Sequence, residues 1–514
     1  MEKLVAKLKD EKYKLPFISA LIIGLVTHMV MMTGKYPNVD SMTNFYFNQN
    51  MVTSGRWFLI IACGISSFYD LNLVNGLLAI LFLSICSVYV TRFFDVKKKP
   101  SMILIPAIMM TFPAFAATMT YMYTVDGYMI GLLMAILAVY VCRKHKYGIL
   151  PGAVLLAFSL GTYQAYVSFA ILLIVFELLL EIVENKNIKE IWLKGIKYLG
   201  MGVLGGMLYY VILQACLFIE KKELDTYQGL NEMGKLSLSS LPGRIAQAYY
   251  DFFAFALRGR IFVVNIFSMI AMCIILSGAL VALIAIAVKT GAYKKWYTWL
   301  AIVLIFAFIP LGCNILLLMS PEAENHLLMR MQWELFIVLA VVLFERVFVL
   351  YESKKDKLTV VRPIAVILIA VICYNFLLMD NIAYFNLNEK YEKTYAYCIR
   401  LLDRIEQTPG YYQGIPICMV GVVSDDSYPS TDVTANVTGK IRGADGDFLL
   451  YRGEQYEEYM KHYLGASLNI LTGDAVIKMY DSPEYKSMKS FPDSNSIKIV
   501  DGIMYIKLEN ETEK

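Results

Sequence analysis

Apolar runs close to twenty residues long recur through this chain, and they constrain its fold more than any other feature. They include Leu15–Gly34, Leu71–Val90, Tyr198–Ile219, Ile261–Val288 and Pro363–Met379. About 20 residues of helix cross the roughly 30 Å of a bilayer's hydrocarbon. Lipid offers the backbone no hydrogen-bond partner, so a spanning segment of this kind satisfies its own N–H and C=O groups as an α-helix. The runs are too continuous for the alternating pattern of a membrane barrel. Composition agrees: 58% of residues are hydrophobic and 18% charged, where soluble domains are about half apolar and about a quarter charged. The expected fold is a polytopic α-helical membrane protein.

Lys and Arg gather at alternate ends of the runs, which orients them by the excess of basic residues in cytoplasmic loops. The clusters are Lys3 to Lys14, Arg92 to Lys99, Arg143 to Lys146, Lys186 to Lys197, Lys289 to Lys295, and Lys354 to Arg362. Placing all of them inside leaves Lys35–Ser54, Tyr121–Asp126, Glu220–Arg260 and Ser320–Gln332 outside. The alternation holds only if Ile149–Val183 is two short helices meeting at Gly161-Thr-Tyr-Gln-Ala-Tyr166. The count is then about 11 spans, with the N-terminus in the cytoplasm and the first apolar run retained as a span rather than cleaved. The bundle is expected over 1–379. From Asp380 the chain turns polar, with strand-like runs at Ile415–Val423 and Ser496–Leu508 and an amphipathic helix at Gly453–Leu464. A small extracytoplasmic α/β domain is therefore expected over 380–514. Within the long outer loop, Ser237–Arg258 pairs an aromatic face with Arg244 and Arg258, a pattern suited to the membrane interface.

Several function classes are excluded. The 9 cysteines are scattered and the chain has only 4 histidines, with no paired Cys/His spacing, so neither a zinc site nor a disulfide framework is indicated. No Gly-rich phosphate loop and no basic nucleic-acid patch occurs. The informative polar residues stand at the outer ends of the spans. The first outer loop reads Tyr36-Pro-Asn-Val-Asp40-Ser-Met-Thr-Asn44, followed by Ser54-Gly-Arg56-Trp57. A second acid, Asp126, sits in a loop too short to lift it far from the lipid, and a charge held there is costly enough to suggest a function. The structural alternative is that both acids cap helices or pair with Lys35 or Arg56. Glu322, Glu324 and His326 form an outer polar group that reads most simply as a solvated loop, and Asp425 and Asp426 read as loop acids.

Tyr36-Pro-Asn-Val-Asp-Ser, Ser54-Gly-Arg-Trp, Tyr123-Thr-Val-Asp-Gly-Tyr and Leu160-Gly-Thr-Tyr-Gln-Ala-Tyr together resemble the bacterial Gtr-type glucosyltransferases. The resemblance is carried by Tyr36–Ser168. It implies a GT-C-like bundle, a polyprenyl-phosphate-linked hexose as donor, a surface glycan such as O-antigen as acceptor, and an active site on the outer face of the cell membrane. It assigns Asp40 and Asp126 as the catalytic acids. A carboxylate can take the proton of an attacking sugar hydroxyl, while the phosphate leaving group calls for Arg. Arg56 is the first candidate for that role, Arg330 the second, and Arg258 and Arg260 the third; snorkelling is the alternative for each. Tyr36, Asn44, Trp57, Tyr163 and Gln164 are candidates for sugar or acceptor contacts. No cofactor is named, and a divalent cation is left open. The rival readings are a flippase or transporter of a lipid-linked sugar, and a glycan-assembly scaffold without catalysis. Transporters usually hold their charges near the midplane in broken helices, whereas these acids stand at the outer ends.

Overall fold

The computed structural model describes residues 10–509 except 43, 227–228, 230–238, 263, 321, 352–354, 422–429 and 451–452. Asp425 and Asp426 lie outside the described residues, and so do the first residues of Ser237–Arg258.

Contacts divide the chain into two units. The first is Met1–Thr33, Tyr46–Asn381 and Lys440–Arg442; the second is Gly34–Phe45, Ile382–Gly439 and Gly443–Lys514. The first unit is helical. Its spanning candidates are α1 (Glu11–Thr33), α3 (Asn72–Phe93), α6 (Met122–Lys144), α8 (Tyr166–Val183), α9 (Ile188–Glu220), α11 (Ile266–Thr290), α12 (Trp296–Cys313) and α14 (Lys355–Glu406). Among the described residues 8 helices are long and apolar enough to cross a membrane, or 9 if the bent pair α4 (Lys99–Thr111) and α5 (Pro113–Met119) is one span. A count of eleven would need two shorter helices as well, α7 (Ile149–Thr162) and α13 (Glu334–Leu350). The remaining helices used below are α2 (Leu59–Cys63) and α10 (Leu241–Arg258).

Local chemistry explains the breaks. The 45° bend between α4 and α5 falls at Phe112-Pro113, where Phe112 is extended at φ −67°, ψ 127°, as the residue before a proline prefers. Between α7 and α8 the chain opens at Tyr163, φ −158° and ψ 112°, inside the segment that parity required to turn. In α11, Asn265 accepts from the Ser268 N–H and the Ser268 hydroxyl lies against the Asn265 backbone, a reciprocal cap. Gly291 ends the helix at φ 76°. Helices α6 and α8 are the most enclosed, while α9 turns Leu199, Met207, Val211 and Phe218 outward. So much exposed apolar surface on one helix suits a lipid environment rather than water.

The helix ends nearest the basic clusters are tied by ion pairs. Arg143 reaches Asp95 and Glu177, each at 2.6 Å. Lys194 joins Glu177 at 3.2 Å to Glu181 at 2.5 Å, the Tyr198 hydroxyl also donates to Glu177, and Arg346 meets Glu184 at 3.2 Å. Glu345 accepts from the Lys97 N–H at 2.8 Å.

The second unit is α/β. Strands β1 (Pro416–Val420), β2 (Asn469–Ile470), β3 (Ile497–Val500) and β4 (Ile503–Lys507) form one sheet in the order β2-β1-β4-β3. Strand β1 runs parallel to both neighbours, and β3 and β4 are antiparallel with Ile497 opposite Ile506. The run Ser496–Leu508, expected as one strand, is thus a hairpin. Asp501 and Gly502 take φ 49° and 80°, the pair of positive values a tight two-residue hairpin turn requires. Cys418, Met479, Tyr485 and Met488 pack as its core. Gly453–Leu464 is helical, α-helix to Tyr459 and wider π-helix from Met460. The dividing point between the units falls inside α14, whose 52 residues extend about 78 Å.

Candidate active site

The second unit carries Asp40. The stretch Asn38–Asn44 folds as an Asx turn: the Asn38 side-chain oxygen accepts from the Ser41 N–H at 2.8 Å and the Ser41 hydroxyl at 3.1 Å. Asn44 donates to the Asp40 carbonyl at 2.7 Å. Asp40 opens a single 3₁₀ turn and is exposed. A Cβ on Gly34 would stand 1.9 Å from the Tyr36 ring, so the ring packs over the glycine.

The first unit gathers Arg56, Trp57, Tyr163 and Gln164, four residues that the sequence marked separately. Gly55 turns the chain at φ 74°, and a Cβ at that position would stand 2.6 Å from both Gln164 Nε2 and the Tyr209 hydroxyl. Gln164 donates to the Ser54 carbonyl at 2.9 Å and to the Tyr209 hydroxyl at 3.2 Å, and Tyr209 donates to the Gly55 carbonyl at 3.2 Å. That clamp presents Arg56. Its Nη1 donates to the Tyr128 hydroxyl at 3.0 Å, and its guanidinium lies 5.0 Å from the centre of the Tyr163 ring. Tyr163 stacks on Tyr128 at 4.5 Å. Arg56 Nε is buried without a partner, and among the described residues no carboxylate pairs with it. Aromatic faces attract a cation without neutralising it. The arrangement therefore holds a fixed positive charge that keeps donors for an anion. Trp57 is buried, packed at 5.6 Å on Phe158 and filling the space a Gly161 side chain would need. In this structure it supports the clamp from behind.

Asp126 lies on α6, fully buried, with neither carboxylate oxygen hydrogen-bonded. The neighbouring Ser66 hydroxyl donates to the Cys63 carbonyl at 3.0 Å instead. Asp126 and Tyr128 are about 200° apart around the helix, so the acid faces α2, not Arg56. Arg330, the second phosphate candidate, has its fork closed on Asp251 with both bonds at 2.8 Å. Its Nε donates to the Asn325 carbonyl at 3.0 Å, and Phe255 lies 4.4 Å beneath it. Its directional donors are committed within the fold. Arg258 is the exposed last residue of α10, and Arg260 is exposed just beyond it. Glu324 reaches His326 at 3.6 Å and Arg442 at 3.7 Å. Among the described residues no group of three His, Cys, Asp or Glu is placed to hold a metal.

Three further acids were not marked by the sequence. Glu334 opens α13 and Asp380 lies in α14; both are fully buried with all four oxygens unpartnered. Glu334 stands toward the end of its helix away from the basic cluster, as Asp126 does, whereas Asp380 lies midway along the 52 residues of α14. Asp70, between α2 and α3, keeps one oxygen buried and unpartnered, and burial pushes its carboxyl up to about 7. A signal for Asp380 was available: a lone acid at the edge of an apolar run with no basic residue within four positions.

No curated protein matches the chain. The family model for glucosyl transferase GtrII matches residues 29–344, a segment that contains Asp40, Arg56, Asp126, Tyr163 and Gln164. On that match the chain belongs to the GtrII glucosyltransferase family.

Proposed function

We propose that this protein moves a glucose residue from a polyprenyl-phosphate donor to a surface glycan on the outer face of the cell membrane. The observation that supports this reading most is the distribution of unpaired charge. Acids at the basic ends of the helices are ion-paired or capped by backbone N–H groups. Away from those clusters stand the unpaired Arg56 and three buried acids without hydrogen bonds. Unmet polar groups of this kind are expensive to keep in a fold, and they suit a site that binds a charged, hydroxyl-rich substrate.

In the proposed reaction an acceptor hydroxyl oxygen attacks the anomeric carbon and its proton passes to the Asp40 carboxylate. The bond from that carbon to the phosphate oxygen breaks, and the electron pair leaves with the lipid phosphate. Arg56 offsets the charge that gathers there, and a phosphate needs no protonation to depart. Asp126 is the supporting acid of this reading, enclosed against α2. The bundle is of GT-C type in this reading, and the second unit lies outside.

Two experiments test the reading. Arg56→Lys keeps the charge but loses the planar fork, and the two cations are not interchangeable at such a site. Binding of a polyprenyl-phosphate hexose should weaken about tenfold in Arg56→Lys and about a hundredfold in Arg56→Ala, as loss of a charge-assisted hydrogen bond of about 1.5–3 kcal/mol implies. Unchanged affinity in both variants would remove Arg56 from the site. For orientation, single cysteines replace the exposed Asn48, Ser467 and Lys146 in a background without native cysteines. An impermeant thiol reagent should label the first two in intact cells and the third only after lysis; the reverse pattern would invert the topology.

A further inference from the structure

The second unit holds an aromatic surface that the proposed chemistry does not use. Tyr463 stacks at 4.6 Å on the fully buried Tyr459. Phe45 lies 5.6 Å from Tyr463 and 4.7 Å from the His462 ring. Tyr391 meets Tyr463 at 5.7 Å and continues to Tyr395 at 6.2 Å. Tyr395 is 38% exposed, and Phe45, Tyr391 and Tyr463 are half-buried. Polar groups border the rings: Glu458 accepts from His462 at 2.9 Å with Lys461 at 3.8 Å, and Lys35 lies 4.4 Å from the centre of the Tyr463 ring.

Two ordinary explanations for such a surface fail. It is not core, because only Tyr459 is enclosed. Nor does it fit the belt of aromatics that sits at lipid headgroups. Tyr391 and Tyr395 follow the last apolar residue of the α14 run, Met379, by about 18 and 24 Å of helix at 1.5 Å per residue. Headgroups add only about 5–8 Å to each side of the hydrocarbon. Even at a tilt of about 40°, the steep end of the observed range, Tyr391 would stand about 14 Å beyond Met379 along the membrane normal.

We propose that Phe45, His462, Tyr463, Tyr391 and Tyr395 form the platform that holds the acceptor glycan. The inference rests on the reading that a surface glycan is the acceptor. A pyranose ring presents a face of weakly positive C–H groups, which matches the negative face of an aromatic ring. Its hydroxyls then reach outward to partners such as Glu458, Lys461 and His462. A row of rings with a polar border suits successive sugars of a polymer, and Phe45 lies on the same short loop as Asp40.

The test is equilibrium binding, without donor, of surface polysaccharide extracted from cells lacking this protein to the purified full-length chain. Tyr391→Ala and Tyr395→Ala should each weaken binding about three- to tenfold, the range of an aromatic pair contact, and Tyr395→Phe should restore it. With donor present, the Ala variants should raise the KM for glycan and keep kcat. Wild-type affinity in both Ala variants would overturn the platform, as would loss of vesicle association with glycan affinity intact. Asp40→Asn should bind the glycan as the wild type does. Normal transfer by that variant would count against the catalytic reading alone and leave the binding result standing.

Discussion

Asp40→Asn should lower sugar transfer from a purified lipid-linked donor by about 10²–10⁴, the range for loss of a positioned general base. The variant should be made and membrane-inserted at normal levels, because Asp40 is exposed and its turn is held by Asn38 and the Asp40 backbone carbonyl. In the proposed reaction the phosphate departs readily, so proton transfer need not limit the rate fully, and the loss falls toward the lower end of the range. Asp126→Asn behaves differently in principle. Its carboxylate is buried without hydrogen bonds, and an isosteric amide removes a costly charge, so that variant should be no less stable while transferring sugar more slowly. Should Asp40→Asn keep full turnover while Asp126→Asn is dead, the two roles are exchanged. Should both turn over normally, the assignment fails and the buried Glu334 is the next residue to test.

Arg330→Ala should destabilise the protein by about 3 kcal/mol, the lower end for removing one partner of a buried ion pair. The Arg330 side chain is 7% exposed and Asp251 26%, so Asp251 is left with partial access to water and the cost stays below the upper limit. The pair fastens α10, whose Phe252 and Phe255 lie on Trp333 at 4.7 Å each. Unfolding in mixed micelles measures the effect. The double variant Arg330→Met with Asp251→Leu removes both charges and should recover much of the loss. A stable double variant that binds donor normally would show that Arg330 serves the fold. A stable double variant that no longer binds donor would return Arg330 to the phosphate.

The spanning helices were readable because lipid reduces the problem to length and apolarity, and the break at Tyr163 was readable because parity demanded a turn there. The hairpin at Ser496–Leu508 was missed although Asp501-Gly502 announced it. The boundary expected at 380 followed a change of composition, yet α14 continues through it: a helix can exchange an apolar environment for a polar one without breaking its backbone hydrogen bonds. At the site, Arg56 and Gln164 were each visible as polar residues near span ends. Their partners Tyr128 and Tyr209 were not, because an aromatic in an apolar run reads as packing until its neighbours are known. Asp380 was read only as the start of the polar region and Glu334 was not singled out, since Arg330 four residues before it offered an ordinary partner and enclosure itself leaves no mark in a sequence.

The clamp on Arg56 also bears on how the protein is made. Its pieces come from Ser54–Gly55, Tyr128, Tyr163–Gln164 and Tyr209, separated by whole helices. A chain still being inserted holds the arginine long before it holds the last tyrosine. Until α9 has left the insertion machinery and packed, Gly55 has nothing to close against and the cation has no fixed seat. The seat of Arg56 is therefore a late product of biogenesis, and a chain stopped ahead of residue 209 would reach the membrane carrying its acids and its arginine without the clamp that the proposed phosphate contact needs.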